Sequence, residues 1–190
     1  MKLLLYCTKA KPYLYKTDDT MIEKMNGDYH TQLNEAVLTE NLNGKIVAEC
    51  DFEVEYLRIV DDDPLGAYWY ETKTLSENEV LEKSCLTGDE LFDYLGEDNE
   101  GYAIHIKNLH VFNEPRDLED YEDEWEYPLE RAPQNMRRCY STLYSNIEAD
   151  MPIRTDSYIL ISIRPEWLCK ILNRKKTIEV RKKVLKEMLE

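Results

Sequence analysis

The most regular alternation of apolar and polar positions lies in Lys45–Val60. Ile46, Ala48, Cys50, Phe52 and Val54 fall on one face, and Glu49, Asp51, Glu53 and Glu55 on the other. A period of two with one dry and one wet side predicts a β-strand. At Tyr56–Leu57 the phase flips, because Leu57 and Ile59 now carry the apolar set. A β-bulge there accounts for the flip and bends the strand, as a barrel requires. Tyr102–Phe112 behaves alike: Tyr102, Ile104 and Ile106 share a face, then Leu109 and Val111 take the other, with a flip near Asn108. Leu3–Cys7 is a short apolar run suited to a buried strand, Ala67–Tyr70 a short aromatic one, and Tyr158–Ile163 and Thr177–Arg181 two more.

Helical signals are fewer. Ser76 with Glu79, and Thr87 with Glu90, have the spacing of capping boxes. Val80 and Leu81 follow the first; Leu91, Tyr94 and Leu95 form the stripe of the second, and Gly96 is placed to end it. Pro165 stands where a first helical turn tolerates proline, ahead of a stripe of Trp167, Leu168, Ile171 and Leu172. Ordinary core packing is the first explanation of that stripe. A weak pattern starts a helix after Thr17, Asn43-Gly44 signals a turn, and Arg131–Tyr144 reads as irregular. Strands outnumber helices, and two bulged strands favour an α+β fold built on a barrel over an open sheet.

The 190 residues fit a single domain spanning 1–190, and 43 % hydrophobic content is enough for a core. The net charge of −15 excludes broad, non-specific attachment to nucleic-acid backbone. That charge is uneven. Residues 154–190 hold ten Lys/Arg against five Asp/Glu, whereas the rest hold fourteen against thirty-four. An acidic body therefore carries one basic segment, where a local site for an anion remains open. Much of the acidity lies in 113–128, which reads as an acidic loop insertion. Leu3–Cys7 is too short for a signal-peptide core, no apolar run approaches a membrane span, and the five cysteines are odd in number and widely spaced. These features predict a cytoplasmic, reduced protein without membrane attachment, whose cysteines act as small apolar side chains. His30, His105 and His110 lack further ligands at metal spacing, and six glycines leave no phosphate loop, so neither metal nor cofactor is expected.

The basic segment holds a compact polar group. Ile178 and Val180 point into a core, while Thr177, Glu179 and Arg181 point the other way, with Lys176 at the entry turn. Lys and Arg donate to phosphate or base acceptors; Glu accepts from a base amino group or orients the Arg. On spacing alone, a solvated polar face is the simpler explanation.

Ser157–Lys183 resembles the signature of the ASCH family, small β-barrel domains of the PUA-like superfamily. The matching text is Ile161-Ser162-Ile163-Arg164-Pro165, then Ile171-Leu172-Asn173-Arg174-Lys175-Lys176-Thr177-Ile178-Glu179-Val180-Arg181. Lys176, Glu179 and Arg181 fall on the family's three polar positions. Arg174 replaces its glycine, so the turn is expected one residue earlier, at Asn173, which tolerates a left-handed conformation better. Leu3–Pro12 is similar to the strand that follows the motif in the family, and Arg131–Met136 to a late Pro-Gln segment. Family order would run 158–190, then 1–153, which implies a circularly permuted PUA-like barrel with flanking helices. Segment 157–183 would complete that barrel in its own chain, complete a partner's in a swapped dimer, or begin a second domain.

The resemblance implies a cleft beside the barrel for RNA or a modified nucleotide or nucleobase. Lys176, Glu179 and Arg181 would line it, with Lys9, Arg164 and Gln134 as neighbours and Asn135 beside them. A second implication is an amidohydrolase acting on an N-acylated nucleoside. Glu179 stands where those members carry a threonine, and a carboxylate does not replace a hydroxyl nucleophile in amide hydrolysis. That tilts the reading from enzyme to binding, although Lys176 and Glu179, with Glu49 or Glu53 as a further acid, remain the catalytic candidates. A third reading takes the acidic body as a phage- or prophage-type inhibitor or nucleic-acid mimic, presenting 113–126 to a basic protein.

Overall fold

The computed structural model describes residues 1–8, 14–17, 20–23, 42, 44–61, 68–96, 100–142 and 157–189. The strands are β1 (Lys2–Cys7), β2 (Leu14–Thr17), β3 (Thr20–Glu23), β4 (Ile46–Asp61), β5 (Tyr68–Glu71), β6 (Glu100–Arg116), β7 (Tyr121–Glu122), β8 (Met136–Ser141), β9 (Ser157–Ile163) and β10 (Ile178–Arg181). The α-helices are α1 (Glu77–Ser84), α2 (Gly88–Leu95) and α3 (Pro165–Leu172). The architecture is α+β. The main sheet has the order β10-β6-β4-β1-β9-β8-β7, with β5 on β4, while β2 and β3 pair as a hairpin. Among the described residues this path is open. It is also mixed: β1 runs parallel to β9, from Lys2↔Tyr158 to Cys7↔Ile163, and antiparallel to β4. The strand that begins the signature, β9, thus lies between β1 and β8 of its own chain.

The chain forms two compact units, Met1–Asp51 with Asn108–Asn173, and Phe52–Lys107 with Arg174–Glu190. In the first, Leu4, Tyr6, Ile46, Phe112, Tyr121, Leu129, Cys139 and Leu160 form the core. In the second, Leu57, Ile59, Ala103, Ile178 and Val180 of the sheet pack with Val80 of α1 and Leu91 and Leu95 of α2. β4 and β6 each contribute residues to both units.

Local rules explain much of this. Ser76 N–H donates to the Glu79 carboxylate at 3.0 Å, and Glu90 N–H to Thr87 Oγ1 at 3.2 Å, so both capping boxes form. Gly96, at φ 70°, ends α2, and Pro165 opens α3. The predicted stripe of α3 is shifted: Pro165, Leu168, Cys169 and Ile171 are buried. Asn108, where the second phase flip falls, has φ 49° and donates Nδ2 to Asp51 at 2.7 Å. The flip in β4 comes earlier than its sequence suggests. Buried positions pass from Ile46, Ala48 and Cys50 to Glu55, Leu57 and Ile59.

Four expectations are corrected. Thr20–Glu23 is a strand rather than the start of a helix, because it pairs with Leu14–Thr17. Met136–Ser141 is a regular strand against β9. The acidic stretch is not one loop: β6 runs on to Arg116, Leu118–Asp120 is a 3-10 turn and Tyr121–Glu122 pairs with β8. Finally, Arg174 itself takes the left-handed conformation at φ 60°, while Asn173 stays at φ −80°. The turn is made where the family's glycine would stand, at a non-glycine cost of about 1–2 kcal/mol. Asn43 lies outside the described residues; Gly44 beside it has φ 81° and donates its N–H to Cys7 O at 2.9 Å.

Candidate functional site

β10 is held by its neighbours on both sides of the entry turn. Thr177 N–H donates to Lys83 O at the end of α1, and Thr177 O accepts from Ile106 N–H, both at 2.9 Å. Ile178 and Val180 then pair with His105 and Ala103. Gly101 allows the close approach at the far end of the pair: a Cβ there would lie 2.9 Å from Arg181 O and 2.7 Å from Leu95 Cδ2.

The three polar residues of the signature converge within the second unit. Lys176 Nζ lies 3.3 Å from Glu179 Oε2, and Arg181 Nη2 lies 2.9 Å from Glu179 Oε1. Each carboxylate oxygen is therefore engaged by a different cation. Lys176 also donates to the main-chain carbonyl of Ser84 at 2.6 Å. The group is not a solvated face. Side-chain exposures are 2 % for Lys176, 10 % for Glu179 and 13 % for Arg181. Burial pushes the Lys176 ammonium below the usual lysine range, against the upward pull of Glu179.

The remaining sequence candidates lie elsewhere. Arg164 is exposed and caps α3, its carbonyl accepting from Leu168 N–H at 2.9 Å; it belongs to the first unit. Gln134, also exposed and in the first unit, sits in the segment that β9 anchors: Ser162 Oγ donates to Pro133 O at 2.6 Å and Ser162 N–H to Asn135 O at 3.2 Å. Lys9 lies outside the described residues, as does His30. Glu49 pairs with Lys2 and Glu53 with Lys107, each at 2.6 Å. Neither carboxylate belongs to the Lys176 group.

One polar centre escaped the sequence. Glu55, counted there on the wet face of β4, is 8 % exposed. It accepts from Lys73 N–H at 3.0 Å, from Thr74 N–H and Oγ1 at 2.9 Å each, and contacts His105 Nε2 at 2.5 Å. Burial pushes its carboxyl up, but the bonds from His105 and Thr74 outweigh that and hold it below the ordinary range. The return of the chain at 72–74 and His105 of β6 create this environment, so β4 alone carries no signal for it. A concavity of about 500 Å³ nearby is lined by Val54, Glu55, Tyr56, Thr72 and Lys73. A second one, of about 570 Å³ in the first unit, includes His110, Phe112 and Arg116. There the Arg116 guanidinium lies 3.8 Å above the Phe112 ring and donates to Tyr121 OH at 2.9 Å.

None of the five cysteines forms a disulfide, and burial pushes the Cys50 and Cys139 thiols up to about 12. Among the described residues no group of three or more His, Cys, Asp or Glu is placed to hold a metal ion, and no helix is long and apolar enough to cross a membrane. Comparisons with family models, with curated proteins and with solved structures returned no significant match.

Proposed function

We propose that the chain is a binding module for an RNA segment or a nucleotide-like ligand, and that the Lys176–Glu179–Arg181 network is its recognition group. The observation that carries this reading is the convergence of the three signature residues on one carboxylate. Glu179 grips Arg181 on one oxygen and is itself fixed by Lys176 on the other. A guanidinium held in one orientation presents its donors without the ordering cost of a free arginine. In this reading Arg181 and Glu179 meet the ligand, and Lys176 is a positioning residue, because it is the most deeply buried of the three.

The same geometry argues for binding over amide hydrolysis. A Glu179 carboxylate engaged by two cations is a poor nucleophile. The finer fold reading, a circularly permuted PUA-like barrel, belongs to the same proposal. It draws support from the parallel pairing of β9 with β1, which sets the start of the signature beside the N-terminal strand.

The test is calorimetric titration of the chain with nucleosides, mononucleotides and short single-stranded RNAs. Wild type is expected to bind at least one of these classes. Arg181→Lys, which keeps the charge but loses the planar fork, should weaken that binding about 10-fold or more. Identical affinities for wild type and variant, or no binding by wild type, would sink the reading.

A further inference from the structure

Tyr121–Leu129 is a short hairpin that turns its two largest tip side chains outward. Its base is buried, with Tyr121 at 0 % and Leu129 at 1 % exposure, and Leu129 N–H donates to Tyr121 O at 2.8 Å. Glu122 bridges Pro128 one step further out. Asp123 clasps the tip. Its N–H donates to Tyr127 O at 2.9 Å, and its carboxylate accepts from Trp125 N–H at 2.9 Å and Tyr127 N–H at 3.1 Å. The other carboxylate oxygen takes Arg137 Nη2, from β8, at 2.8 Å. Glu126 closes the turn at φ 67°.

On this clasped tip Trp125 is 72 % exposed and Tyr127 69 %. A tryptophan and a tyrosine on a fixed turn have the chemistry of an interface hot spot: large apolar area, and little conformational entropy left to lose on binding. The surroundings select the sign of the partner. Glu124 and Glu126, the sequence neighbours of the two rings, are exposed, as is Glu130 just beyond the hairpin. That charge repels a phosphate backbone, and it would set carboxylate against carboxylate in a self-pair of these tips.

We infer that the Tyr121–Leu129 hairpin is a protein-docking knob, whose Trp125 and Tyr127 enter an apolar pocket rimmed by Lys and Arg on a basic partner protein. This surface is independent of the Lys176 network, so either can fail without the other.

The experiment places the photo-crosslinking residue p-benzoylphenylalanine at position 125 of the full chain. The chain is irradiated in cells that normally contain it, the adduct is identified, and the captured protein is then purified and titrated. The expected result is a basic protein whose affinity falls with added salt and falls at least about 30-fold for Trp125→Ala with Tyr127→Ala, while Trp125→Phe keeps most of it. Both side chains are exposed, so these variants retain the fold. Adducts only with RNA or with copies of this chain, no adduct, or a captured protein that binds the double variant equally well, each overturns the inference.

Discussion

Lys176 donates its ammonium to the main-chain carbonyl of Ser84, at 2.6 Å and ninety-two positions away in sequence. Ser84 is the last residue of α1, where helix carbonyls lack intrahelical partners. One lysine thus caps a helix C-terminus and steadies the carboxylate that grips Arg181. Lys176→Met keeps the stem and removes the charge, leaving Glu179 to Arg181 alone. The expected cost is about 2–3 kcal/mol. Urea unfolding of Lys176→Met, Glu179→Gln and the double variant checks it: the double variant should cost clearly less than the two single losses added together.

Glu55 makes the stability depend on acid. Its carboxyl is held below the ordinary value, so its contribution is complete above about pH 4.3 and is lost as pH falls through its folded-state value. Glu55→Gln should be less stable at neutral pH, by about 1–3 kcal/mol, and should show a flatter loss on acidification below pH 4.3. Thermal melts of both proteins between pH 3 and 7 give the comparison; parallel curves would mean that the Glu55 carboxyl titrates alike in the folded and unfolded chains.

Gly101 positions Arg181 through the backbone. A methyl group there meets Arg181 O at 2.9 Å, and a main-chain oxygen in a paired strand has little room to give. Gly101→Ala should cost about 1–3 kcal/mol and weaken ligand binding as well, since it shifts the residue that carries the guanidinium. Gly101→Ala that melts and binds like wild type would show that β10 yields freely.

What the sequence revealed and what it hid divide along range of interaction. The boxes at Ser76 and Thr87 and the proline at 165 act within one helical turn, and each stands where it was expected. Ile178 and Val180 are buried as their alternation requires. The convergence of Lys176, Glu179 and Arg181 was implied by spacing, but their burial was not: it comes from α1 and β6, which reach β10 from far along the chain. Glu55 was misread because its partners arrive with 72–74 and 105. Cys85 and Arg174 sit at φ 56° and 60° without the glycine that usually marks such places, so no local signal pointed to the turn at Cys85, and the turn after α3 was expected one residue early, at Asn173. The hairpin tip at Trp125 was visible as acidity, while its exposed aromatics emerge only once Asp123 folds back on their amides.

Arg181, held by Glu179, is the group proposed to recognise a nucleotide-like ligand. The most direct measurement follows the arginine side-chain NMR signals of the labelled chain during titration with mononucleotides and short single-stranded RNAs. The Arg181 guanidinium resonance should shift in a saturable way, at the same ligand concentration that saturates the calorimetric signal, and this shift should be lost in Glu179→Gln. A ligand that binds while the Arg181 resonance stays still would contradict that role.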